Sequence, residues 1–314
     1  LADGTRIVAA IRGRDAIYVW TDTSLFIMRF VGAPFVFSFQ QVGTNCGLIG
    51  KNAAVEVDGS AYWMSENGFF RYTGKLDSLA CLVEDYVYDD MNTVPKQHIY
   101  AGLNNLFGEV TWFYPGSGAA SNNRSVTYNY MDSTPERPVW TTSTLARSAW
   151  SDSHIFGKPH ATEYDSSATS DTTVGNTDGV TVYYEHETGQ DQIKAGARTG
   201  ISASIESGDF DISATQGGGA DLRGDGEHMM KIRRVLPDFL QQTGDARVTL
   251  NLKNYPTDSQ ASSSLGPFTT TTSTTKIDTR ARARAISLKV DNTSTKQHWK
   301  LGTFRLDIQA DGRR

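Results

Sequence analysis

The sequence predicts an all-β protein with β-propeller-like repeats, an additional β-sandwich-like C-terminal unit and one short helix. Three observations lead there. Short runs rich in Val, Ile, Thr, Tyr and Phe alternate with Gly, Asn and Asp along the chain, the pattern of strands joined by tight turns. A tryptophan-centred pattern recurs every 40–55 residues or so, the size of a blade of up to four short strands. After about residue 198 the texture changes to longer strands separated by Gly, Pro, Ser and Thr.

The elements follow in order. "IYVWTDTSLFIMRFVG" (17–32) reads as a hairpin turning at Thr21-Asp22-Thr23-Ser24. "AAVEVDGSAYWMSENGFFRYTG" (53–74) reads as three strands turning at Asp58-Gly59 and Asn67-Gly68, because such dipeptides tolerate positive φ. The two segments align, Trp20 with Trp63, Phe30 with Tyr72 and Gly32 with Gly74. Weaker copies lie at 108–133, centred on Trp112, and at 158–189. Between them, Leu76, Leu79, Leu82, Val83, Tyr86, Val87 and Met91 share one helical face. The spacing predicts a helix within 76–92, with Glu84, Asp85, Asp89 and Asp90 on its solvated side. A polar loop follows at 166–179. We divide the chain into 1–198, the propeller-like blades, and 199–314, the C-terminal β domain. A sandwich built of hairpins is the alternative architecture.

Bulk properties set limits. With 314 residues, 38% hydrophobic and 21% charged, the chain is long and apolar enough to fold. No apolar run of about 18 residues is present, so no membrane-spanning helix is expected. No secretion leader is visible, and the chain begins at Leu1 without methionine, which suggests a processed form or the C-terminal part of a longer product. Cys46 and Cys81 have neither zinc nor disulfide-framework spacing and read as buried thiols. Charge is uneven. Residues 1–198 hold 14 Lys+Arg against 22 Asp+Glu, or −8, and residues 199–314 hold 16 against 13, or +3. Opposite signs of this kind favour attraction within a subunit or between neighbours.

Catalytic patterns fail one by one. In "GTNCGLIGKN" (43–52), Asn45 and Asn52 stand where a phosphate loop needs glycine and a hydroxyl, so a tight glycine turn is the better reading. His98, His154, His160, His186, His228 and His298 make no metal-binding spacing, although His154 and His160 could converge in space. No Gly-x-Ser-x-Gly elbow occurs. "SENGFF" (65–70) has Asn67 where a sialidase-type turn has aspartate, and the motif does not recur. The expectation is a protein that is not an enzyme and has no cofactor or metal.

Two groups stand out as binding candidates. Arg280, Arg282 and Arg284 alternate along one strand face, continued by Ile286, Leu288 and Val290. Arg280 and Arg284 would lie about 13 Å apart, too far to converge on one carboxylate. The opposite face, Thr279, Ala281, Ala283, Ala285, Ser287 and Lys289, is small enough for close packing. We read the arginines as pairing at a subunit boundary, ahead of an unspecific basic surface or polyanion contact. Trp112, Phe113 and Tyr114, with Tyr183 and Tyr184, are candidates for a docking or glycan-stacking surface or for core filling.

"WTDTSLFIMRFVG", "VGTNCGLIGKNAAVEVDGSAYWMSENGFFRYTG" and "RARAISLKVDN…WKLGTFRLDIQADGRR" resemble tail tubular, or nozzle, proteins of short-tailed bacteriophages. The resemblance covers most of the chain and contains no catalytic motif. It implies a virion tail protein made in the host cytoplasm. It further implies a hexameric ring of β-propeller-like subunits, contacts with portal, adaptor and tail fibre proteins, and passage of viral DNA without sequence-specific binding. A receptor- or glycan-binding tail protein is the alternative function.

Overall fold

The computed structural model describes residues 3–153, 156–165, 179–194, 196–212, 228–255 and 263–312. The chain is all-β with a single short α-helix among the described residues, and it divides into two compact units, Leu1–Thr188 and Gly189–Arg314. The predicted polar loop at 166–179 lies outside the described residues except for Gly179.

The first unit is a series of antiparallel meanders. The first sheet is β1 (Ile7–Arg12), β2 (Ile17–Thr21), β3 (Ser24–Phe30) and β4 (Phe37–Thr44). The second is β5 (Ala54–Val57), β6 (Ser60–Ser65), β7 (Gly68–Tyr72) and β8 (Leu76–Leu79). The third is β9 (Tyr100–Asn104), β10 (Glu109–Tyr114), β11 (Arg124–Asn129) and β12 (Trp140–Ser143), and the fourth is β13 (Ala149–Ser151), β14 (His160–Asp165) and β15 (Val180–Glu185). The sheets begin 47, 46 and 49 residues apart. Neighbouring sheets meet through their first strands, β1 on β5, β5 on β9 and β9 on β13. Among the described residues no strand of the fourth sheet pairs with the first, so the propeller-like series is not closed.

The tryptophan repeat has a structural meaning. Trp20, Trp63 and Trp112 each sit on the second strand of a sheet, fully buried. Each faces an alanine on the first strand, Ala9, Ala54 and Ala101. The small inner residue leaves room for the indole where first strands crowd together. The fourth sheet inverts the pair, with Trp150 on the first strand opposite Ala161 on the second. The aligned glycines also match, since Gly32 and Gly74 both hold positive φ just after a third strand. Asp58 and Gly59 take the positive φ that their turn requires.

The helix differs from expectation. It spans only Glu84–Asp90 (α1), while Leu76 and Leu79 belong to β8. The spacing of Leu76 and Leu79 suited a helix, but β7 offered an open edge and took that segment as a fourth strand. Val87 is the buried residue of α1, and Leu82 and Tyr86 face solvent.

The second unit starts with a hairpin, β16 (Asp191–Lys194) and β17 (Ala197–Gly200). Its strands continue as β18 (Ala203–Glu206), β19 (Met230–Leu236), β20 (Phe239–Thr243), β21 (Ala246–Lys253) and β22 (Ser263–Thr270). They end with β23 (Ile277–Ala283), β24 (Ala285–Asn292), β25 (His298–Leu301) and β26 (Arg305–Ala310). One sheet has the order β18-β24-β21-β22 and another β23-β19-β26. Inward residues of both form one core, including Met230, Ile232, Val248, Leu250, Ala281, Ile286 and Val290. That is a two-layer sandwich.

Candidate interaction surfaces

The arginine strand changes sheets in its middle. Arg284 lies outside both strands, between β23 and β24, and its N–H bonds to the Lys253 carbonyl at 3.1 Å. Before this corner Arg280 and Arg282 are exposed, and Thr279, Ala281 and Ala283 are buried. After it Ile286, Leu288 and Val290 turn inward. The expected single face running from charged to apolar is therefore corrected. The bend at Arg284 reassigns the faces, and Ala281 and Ala283 pack into the unit's own core.

Arg280 and Arg282 belong to a larger basic surface. Lys231, Arg233 and Arg234 on β19 and Arg305 on β26 share the solvent side of the same sheet. Asp278 and Asp307 lie among them on the strands, and Asp311 adjoins just beyond β26. Arg234 pairs with Asp278 at 2.9 Å, and Arg282 Nε pairs with Asp311 at 2.5 Å. Both pairs are largely solvated, so they orient side chains more than they stabilise the fold. The bulge in β19 between Ile232 and Arg234 brings neighbouring cations to this surface, which strict alternation in "MKIRRVL" does not reveal.

The aromatic trio is not a surface. Trp112, Phe113 and Tyr114 are all fully buried, because β10 is an inner strand of the third sheet. Trp112 donates from Nε1 to the Ala53 carbonyl at 3.0 Å. These residues fill the core and cannot stack on a sugar. Tyr184 is buried too, whereas Tyr183 is exposed and stacks on His160. His154 lies outside the described residues.

A buried polar cluster escaped sequence reading. Arg147 is almost fully buried, and its Nε donates to His186 Nε2 at 2.9 Å. Its guanidinium lies 4.0 Å from the Tyr184 ring centre and 3.4 Å from the Glu163 carboxylate. Burial, with Arg147 beside it, pushes the His186 pKa down to about 4, so the ring stays neutral and accepts the hydrogen bond. The partners lie 16 and 39 residues from Arg147, at spacings that mark no motif. Every contact serves to satisfy a buried cation, which is a structural role.

The glycine-rich loop is likewise structural. Asn45 takes positive φ and accepts a hydrogen bond from Asn67 at 2.8 Å. A side chain at Gly50 would come within 2.6 Å of the Lys96 carbonyl. Close backbone approach explains the glycine, and no helix N-terminus follows Lys51 to receive phosphate. An open cleft of about 540 Å³ is lined by Arg12, Arg14, Glu56 and Asp58, and Glu56 already accepts the Gly59 N–H at 2.5 Å. Among the described residues no three His, Cys, Asp or Glu side chains form a group able to hold a metal.

Exposed aromatic side chains gather on the first sheet and its β3–β4 turn. Phe30, Phe35, Phe37 and Phe39 are each more than half exposed, with Val31 and Val36 beside them. The sequence held a legible signal, since residues 30–50 contain no charged side chain.

No family model matches this chain, and no curated protein matches it.

Proposed function

We propose that this chain is a non-enzymatic structural subunit of a bacteriophage tail. In this reading six copies form a nozzle ring through which viral DNA leaves, joined to portal or adaptor proteins and to tail fibres. The observation that carries the assembly is the basic outer sheet face around Arg280 and Arg282, set in a chain whose residues 1–198 carry −8. A ring needs one patch to meet a different patch on the next copy, and opposite charges fix that orientation. The resemblance noted above supplies the tail setting. A conduit must also avoid gripping DNA, because each neutralised phosphate adds affinity. The overall negative charge suits that, provided that the basic face turns toward neighbours. The glycan-binding alternative loses Trp112, Phe113 and Tyr114, which are buried.

The test is cryo-electron microscopy of intact particles with this chain traced into density. The expected result is a ring around an axial channel, with Arg280 and Arg282 at a subunit boundary. Density on peripheral fibres, or none in the particle, would overturn the reading.

A further inference from the structure

We infer that the hairpin joining β3 to β4 is a contact arm that is buried against a second copy of this chain. This deepens the assembly reading and rests on its claim that copies pack side by side.

The hairpin projects beyond its sheet. β2 follows β3 only as far as Met28, whereas β4 follows it to the Phe30–Phe37 pair. Phe30 packs edge-on against Phe37, and the Val31 N–H bonds to the Val36 carbonyl at 3.0 Å, so the tip is formed. Phe37 to Gln41 are exposed on both strand faces. β4 is also the edge of its sheet, with one side of its backbone unpaired. Natural edge strands are protected by charge, proline or a cover. This one has no charge from residue 30 to residue 50.

The size of the patch fits a protein interface. Four largely exposed phenylalanines, at roughly 200 Å² each, and two half-exposed valines make about 600 Å² of apolar area. That matches the largest patch on an ordinary monomer and approaches the roughly 800 Å² that each partner buries in a stable complex. A bilayer is the poorer occupant. The free N–H and C=O groups along β4 would lie unsatisfied in hydrocarbon, whereas a protein surface can pair them. A second copy brings its own exposed apolar side chains, Leu82 and Tyr86, four residues apart at the start of α1 and both more than half exposed. The chain therefore carries an apolar arm and, on α1, exposed apolar side chains that it could meet on the next copy, as a heterologous contact needs.

The experiment uses the full chain alone in solution. A photo-crosslinking amino acid replaces Phe37, and light and isotope-labelled protein are mixed before irradiation. Mixed crosslinks between copies, with oligomers in native mass spectrometry, are expected. The Phe35→Ser/Phe37→Ser variant should weaken association about tenfold or more, as loss of central aromatic anchors does. Both side chains are exposed, so its circular dichroism should match the parent. A monomer at every concentration, crosslinks only within one copy, transfer to added phosphatidylcholine vesicles instead, or undiminished association of the variant would each overturn the inference. Should the variant misfold, crosslinking of the parent decides. Particle imaging separates the two readings: a tail ring with a solvent-exposed hairpin sinks this inference alone, and hairpin-joined oligomers in solution of a chain that imaging does not find in the tail sink only the nozzle.

Discussion

The two units are built around different cores. The first is aromatic, with Trp20, Trp63, Phe69, Trp112 and Tyr114 fully buried. The second is aliphatic and small, with Ile232, Val248, Leu250, Ala281, Ala283 and Val290. In the first, indoles tie segments together by bonding to distant carbonyls, Trp63 to Cys46 at 2.8 Å and Trp150 to Leu103 at 2.7 Å. In the second, strand alternation and the corner at Arg284 hold two sheets face to face. A few large anchors therefore specify successive meanders, whereas many small inward residues specify a sandwich.

The strongest way to break the comparison is Trp63→Ala. It removes a fully buried indole and its hydrogen bond, at about 3–5 kcal/mol. Urea unfolding followed by hydrogen exchange should show the first unit destabilised and the second unchanged. Equal losses in both would mean that the cores are energetically coupled. Next, Ala281→Leu overfills the second core at about 1–3 kcal/mol and should spare the first unit. Unchanged stability would show that the sandwich interior has slack.

A smaller effect comes from His186. Unfolded, it takes up a proton near its ordinary 6.5, but folded it resists until about 4. The first unit should have full stability from this group above pH 6.5 and lose it as pH falls toward 4, by roughly 1–2 kcal/mol after screening. His186→Gln should flatten that part of the stability–pH curve, and an unaltered curve would assign the loss to other groups. Smallest of all is Arg282→Ala. Its pair with Asp311 is nearly half exposed, so melting should shift by less than about 1 kcal/mol. Self-association should weaken if this face meets a neighbour. A large melting shift would instead make the pair structural.

Much of the first unit was legible. Asp58-Gly59 announced its turn because it needs positive φ, and Trp20, Trp63 and Trp112 announced the repeat because each of the first three sheets buries one indole on its second strand. Their alanine partners were missed, since Ala9, Ala54 and Ala101 are inconspicuous until pairing aligns them. Arg280 and Arg282 were placed on an exposed face, but Lys231, which pairs with Arg282 across the sheet, lies distant in sequence. Trp112, Phe113 and Tyr114 misled as a surface because aromatic content alone does not distinguish a core from a platform.

The sequence by itself determined the all-β class, the repeat length and the turns, because strand alternation and φ preferences act within a few residues. Only the tertiary structure decided that Leu76 and Leu79 join a strand, that the arginine face breaks at Arg284 and that the Phe30–Phe37 tip of the β3–β4 hairpin extends past β2. Those outcomes depend on which edge is open and which neighbour covers a face, and no local preference encodes them.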